Sequence, residues 1–148
     1  MSLIIFCFYT VAVAAVFALL EIQIEGPDGW AAKLPTWKHV GWLQKKFGSK
    51  KHLTGYHFYL NIFIFLILQI IFFFVPLSWK KEAVIIGFWF SFLTIEDFLW
   101  FIFNPHFGLK TFKAGHPQLW WHTHWFLGLP TFYWFTLPIG IILIGWGW

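Results

Sequence analysis

The chain has 148 residues, of which 59% are hydrophobic, 25% aromatic and 11% charged, against roughly 25% charged in an ordinary soluble domain. Ten lysines, no arginine and six acids offer no water-facing shell for 21 Phe and 12 Trp, which nearly excludes a soluble fold and leaves lipid as the solvent. The net charge of +4 is scattered over short stretches, so no nucleic-acid partner is expected, and the single Cys7 rules out a disulfide framework.

Residues 1–148 are expected to form one all-α integral membrane domain, a bundle of four transmembrane helices. The first span covers about residues 3–20, and no lysine precedes it, so it reads as a permanent helix and not a cleaved signal. Glu21 and Glu25 follow at a four-residue spacing that puts both on one helical face. In the long loop after them, Trp37, Val40, Leu43 and Phe47 recur at three- and four-residue intervals, the pattern of an interfacial amphipathic helix.

The second span covers about residues 56–75, opens at His57 and stops at Pro76. The third covers about residues 83–103, carries Glu96 and Asp97 inside its apolar run and ends at Asn104-Pro105. His116, His122 and His124 lead into the fourth, about residues 125–148, which Pro130 and Pro138 should kink or interrupt. Most tryptophans lie near span ends, where an indole prefers the headgroup level. Eight lysines fall in the two long loops and only Lys80 and Lys81 in the third, so the long loops are expected in the cytoplasm and both termini outside, with the cytoplasmic (inner) membrane as host.

That topology brings the acids and imidazoles of four remote segments to one depth on the cytoplasmic side. An ionisable group in hydrocarbon is costly unless partnered, so a cation or a proton pathway would give Glu96 and Asp97 a reason to be there. Imidazole and carboxylate together suit a transition metal such as Zn, Mn or Fe, as one ion or two. The expected ligands are Glu21, His57, Glu96 and His122, with Glu25, Asp97 and His124 as further ligands or as groups that orient imidazoles. His122 and His124 point about 200° apart if their segment is helical, so only one would then face the bundle.

The function this implies is a small polytopic membrane metalloprotein with its metal site at the cytoplasmic membrane interface, and a metal-dependent oxidoreductase or hydrolase acting on a lipid-like substrate that enters laterally from the surrounding lipids is the enzyme class it would suit. No Gly-x-Ser-x-Gly elbow, His-Glu-x-x-His motif or phosphate-cradling glycine loop fixes the reaction class. Two alternatives stand beside it. One is a redox carrier with haem between His57 and His122 or His124. The other is a cofactor-free accessory subunit of a homo-oligomer or larger membrane complex.

Overall fold

The computed structural model describes residues 2–42 and 51–148. Helix α1, Leu3–Glu25, begins at Ser2, whose hydroxyl accepts the Ile5 amide, and ends at Gly26 with φ 66°, a conformation glycine adopts without a Cβ penalty. Helix α2, Gly55–Gln69, is capped by Thr54 and runs on into a 3-10 turn, Ile70–Phe73. Helix α3, Trp79–Phe103, starts from Ser78, with Glu82 in its first turn, and stops at Asn104. Helix α4, Tyr133–Gly147, carries Pro138 in its interior.

Two short strand pairs hold the loops at the ends of these helices. Strand β1, Lys38–His39, runs antiparallel to β2, Leu53–Thr54. Strands β3, Trp125–Phe126, and β4, Leu129–Pro130, form a hairpin. Leu127 and Gly128 turn that hairpin with φ 46° and 79°, the double left-handed geometry that matches strand twist in a two-residue loop.

Among the described residues, three helical segments, Leu3–Glu25, Gly55–Phe73 and Trp79–Phe103, are long and apolar enough to cross a membrane. Helix α4 is apolar but has 15 residues, about 22 Å at 1.5 Å per residue. The expected fourth span therefore begins later than residue 125, because residues Trp125 to Pro130 are drawn into the hairpin, where Pro130 needs no amide donor. The expected interfacial helix is also corrected at its start: Trp37 and Val40 flank the extended strand β1, whose backbone is satisfied by β2. Leu43 and Phe47, its other apolar positions, lie outside the described residues.

Helix α3 is the centre of the packing. On one side, the fully buried Ala14 and Ala18 of α1 meet Phe88, Phe92, Trp100 and Phe101. Small residues bring α4 close on another side, where the Thr94 and Thr136 hydroxyls lie 2.6 Å apart and a Cβ on Gly87 would stand 2.7 Å from the Gly140 carbonyl oxygen. Such backbone approach is how helices associate when the surroundings are as apolar as their side chains. Helix α2 stands off from this core, and Gly55 is its only buried residue. Asn104, 1% exposed, ties the end of α3 to the end of α1: its amide donates to the Gly26 carbonyl at 3.3 Å, and its carbonyl accepts the His106 amide at 3.1 Å.

The Gly87 contact generates a test. Gly87→Ala should destabilise the fold by about 1–3 kcal/mol despite alanine's higher helix propensity, because the added methyl meets backbone that cannot move aside. Gly145→Ala, where a Cβ meets nothing within 4 Å, should be neutral or slightly stabilising, as read by thermal unfolding in detergent.

Candidate functional site

One end of the bundle collects the chemistry, because α1 and α3 finish there and α2 begins there. Glu21 and Glu25, one turn apart on α1, are both buried, at 8% and 7% exposure. His57 lies in the first turn of α2, where Thr54 fixes it twice: Thr54 Oγ1 accepts the His57 amide at 3.2 Å and lies 2.6 Å from its Nδ1. The other ring nitrogen, Nε2, stands 3.3 Å from Glu25 Oε1. One ligating atom from each of Glu21, Glu25 and His57 falls within 4.8 Å of the others.

Glu96 completes this group from α3. Its carboxyl comes within hydrogen-bond reach of Glu21, yet Glu96 Oε1 is buried without an aligned partner. Two carboxyls at that range require a proton or a cation between their oxygens. The Tyr56 hydroxyl, beside Glu21, is also buried without an aligned hydrogen bond.

The loop after α1 closes over the imidazole. Trp30 and Ala31 both take left-handed backbone conformations, φ 47° and 49°, which cost of order 1–3 kcal/mol each for residues with a side chain. Two contacts offset that strain. The Ala31 amide donates to Glu25 Oε1 at 2.5 Å, and the Trp30 indole stacks on His57 with centroids 3.9 Å apart and planes 16° apart. Trp30 Nε1 in turn donates to the His52 carbonyl at 2.8 Å. Gly29 just before it is packed so closely on Trp121 that a Cβ would stand 2.6 Å from the indole.

Asp97 and His122 form a second group. Asp97 Oδ2 accepts the Tyr133 hydroxyl at 2.5 Å and lies 3.3 Å from His122 Nε2. The His122 ring is buried among Phe101, Trp121, Trp125 and Phe132. The structure thus brings together four of the expected residues, Glu21, Glu25, His57 and Glu96, and pairs His122 with Asp97 instead of with that cluster. His124 joins neither: it is exposed in the hairpin segment, and its carbonyl accepts the Thr131 amide.

A cavity of about 580 Å³ opens beside the first group. At one end it is lined by Glu21, Glu25, Lys51, His57, Glu96 and Asp97, and further along by apolar side chains of α1, α2 and α3. Lys51 Nζ sits 3.7 Å over the Trp30 ring. Burial holds its ammonium below the ordinary lysine range, and the carboxylates of Asp97, Glu25 and Glu21 oppose that shift.

In the sequence Trp30 reads as a membrane anchor and Lys51 as a topology signal, and Thr54, Tyr56 and Tyr133 are not among the expected site residues. Thr54 carried a usable signal, since a threonine three residues before His57 is a helix-start residue. Tyr133 carried none, because its meeting with Asp97 depends on how α3 and α4 cross. Comparisons of the chain with protein-family models, curated proteins and solved structures find no match.

Chemically, His57 has two arrangements: with Nε2–H it donates to Glu25 Oε1 at 3.3 Å, and with Nδ1–H donating to Thr54 Oγ1 its Nε2 lone pair would be available to a metal ion, the tautomer that metal-bound imidazoles adopt through an oxygen partner on the other nitrogen. Ligand bonds of about 2.0–2.2 Å put donor atoms roughly 3.4 Å apart around a tetrahedral ion, so closing the observed group needs only small side-chain movements.

Thr54 is accordingly the residue to test. Thr54→Val removes both the cap and the imidazole contact at nearly constant volume and should cost about 0.5–2 kcal/mol. Thr54→Ser should retain most of that stability in thermal unfolding.

Proposed function

We propose that this chain is a small polytopic membrane metalloprotein in which Glu21, Glu25, His57 and Glu96 hold one transition metal ion, Zn, Mn or Fe, near one face of the bilayer. The observation that carries this reading is the approach of ligating atoms of Glu21, Glu25 and His57, from two helices, to within 4.8 Å of one another inside an apolar bundle. Two carboxylates so close, with Glu96 beside Glu21, repel one another when ionised, and a divalent cation relieves that repulsion while satisfying oxygens that hydrocarbon cannot. Asp97 is already engaged by Tyr133, which favours one ion over two.

In this reading all four helices cross the bilayer, and its thinning around the short α4 accommodates the mismatch. The lysine asymmetry puts the metal end at the cytoplasmic face of the inner membrane, with both termini outside. A bound ion there would supply Lewis acidity or an activated water at the level where a lipid headgroup meets its chain, so a lipid-like substrate fits the position. The haem alternative requires His57 Nε2 and His122 Nε2 to leave Glu25 and Asp97, their neighbours at 3.3 Å. The cofactor-free subunit has one observation in its favour, the lack of burial along α2, which leaves that helix open to a partner.

Elemental analysis of detergent-purified protein separates these readings. About one ion per chain is expected in the wild type, as in a mononuclear site. Glu21→Gln and His57→Ala should each remove most of it, while His124→Ala should leave it unchanged. Sub-stoichiometric Zn, Mn and Fe in the wild type would overturn the metal reading, and a haem absorption band would replace it with the redox carrier.

A further inference from the structure

The β3–β4 hairpin carries an apolar tip that the described residues leave open. Phe126 and Leu127 are 57% and 75% exposed. Leu127 also holds a left-handed backbone, φ 46°, just before Gly128 at 79°. Two-residue turns of this kind favour Asn, Asp or Gly at both positions, so a leucine here suits neither the turn nor an aqueous surrounding. A strained and exposed apolar side chain at a loop tip points to an apolar partner.

The depth of the hairpin follows from its roots. Before it, His122 Nε2 lies 3.3 Å from Asp97 Oδ2, and after it the Tyr133 hydroxyl donates to the same oxygen. Further along, Thr136 meets Thr94, Gly140 packs on Gly87 and Ser91, and Gly147 packs on Lys80. Helix α4 therefore runs antiparallel to α3 and begins level with Asp97. The apolar run of α3 from Ala83 to Phe103 is about 30 Å long at 1.5 Å per residue, the thickness of the hydrocarbon core. On that scale Asp97 lies about 9 Å inside the end of α3, and Thr131, whose amide closes the hairpin on the His124 carbonyl, about 6 Å inside. Even pointed straight at water, the strand from Thr131 to Gly128, at about 3.3 Å per residue, lifts the tip only about 4 Å past the end of α3. The headgroup layer is about 5–7 Å deep on each side, so the tip stays within lipid in any direction.

Hydrocarbon tolerates such a segment only if its polar backbone is covered. Trp134 Nε1 donates to the Phe126 carbonyl at 2.9 Å, and Trp125 Nε1 to the His122 carbonyl at 2.7 Å. Pro130 brings no amide N–H to its strand. An interfacial indole ordinarily keeps its polar edge wet; these two turn theirs to backbone carbonyls instead. His124, exposed at the hairpin base, has only to extend its polar tip about 6 Å to the headgroups, as amphipathic side chains do.

We propose that the Trp125–Pro130 hairpin is a membrane-seated wedge, with Phe126 and Leu127 against the lipids of the leaflet at the site end, and not a loop in water or a docking point for a soluble protein. The wedge lies outside the metal site. It rests on the reading that all four helices cross the bilayer, and it fills part of the length that the short α4 leaves open.

The test is spin-label accessibility in the full chain, reconstituted in phosphatidylcholine nanodiscs, in a Cys7→Ala background that removes the one native thiol. Leu127→Cys and, independently, Phe126→Cys carry the label, with Phe63→Cys on the exposed side of α2 as the lipid reference and Lys113→Cys as the water reference. Oxygen reaches a label more readily in lipid, and a soluble nickel chelate more readily in water. At both hairpin positions the oxygen-to-nickel collision ratio should exceed that at Lys113 several-fold and approach that at Phe63. A ratio at either hairpin position equal to that at Lys113, with Phe63 lipid-like, would overturn the wedge and leave the membrane reading standing. A water-like Phe63 would overturn both. Low access of both reagents to the hairpin, or dipolar broadening between labels on two copies, would show protein covering the tip and would also overturn the proposal.

Discussion

Carboxyl groups buried at close range in an apolar bundle are the constraint on which the rest of the structure depends. Each ionised group withdrawn from water costs several kcal/mol unless partners replace its hydration. The partners are visible one by one: the Ala31 amide and His57 for Glu25, Tyr133 and His122 for Asp97. Glu21 and Glu96 have each other, an arrangement stable only with a positive charge or a proton between them.

Much of the surrounding irregular structure holds this arrangement in place. The left-handed Trp30–Ala31 turn accepts backbone strain to deliver one amide and one indole. Asn104 binds the end of α3 to the end of α1, fixing Glu96 relative to Glu21. The β1–β2 pairing anchors Thr54, which caps α2 and orients His57. Each of these elements sits where a helix end must be set to within the length of a hydrogen bond.

The parts of the site legible in the sequence were those governed by helical period. Glu21 and Glu25 share a face because four residues make just over one turn. Glu96 stands out because an acid inside an apolar run has few structural excuses. Loop conformation was not legible. His122 and His124, two residues apart, part company because a buried turn holds the first beside Asp97 while the second lies in an exposed hairpin. The start of the fourth helix was misplaced for the same reason, since Trp125 and Phe126 are as apolar as any helix and only the Leu127-Gly128 turn and Pro130 reveal the hairpin. Trp37 and Val40 fit a helical period yet flank an extended strand, because β2 supplies Lys38 and His39 with a backbone partner that no local pattern announces.

Helix α2 links the site to its surroundings. It contributes His57 at its start and then diverges from α3, and beyond the ionisable end the cavity between them is lined by apolar side chains and Asn61.

X-ray absorption on protein loaded with one equivalent of zinc and freed of excess metal tests that geometry most directly. The account predicts a shell of oxygen and nitrogen donors at about 2.0–2.2 Å with the scattering of a single imidazole, and loss of that imidazole signal in His57→Ala. Two or more imidazoles, or a purely oxygen shell like that of hydrated zinc, would contradict it.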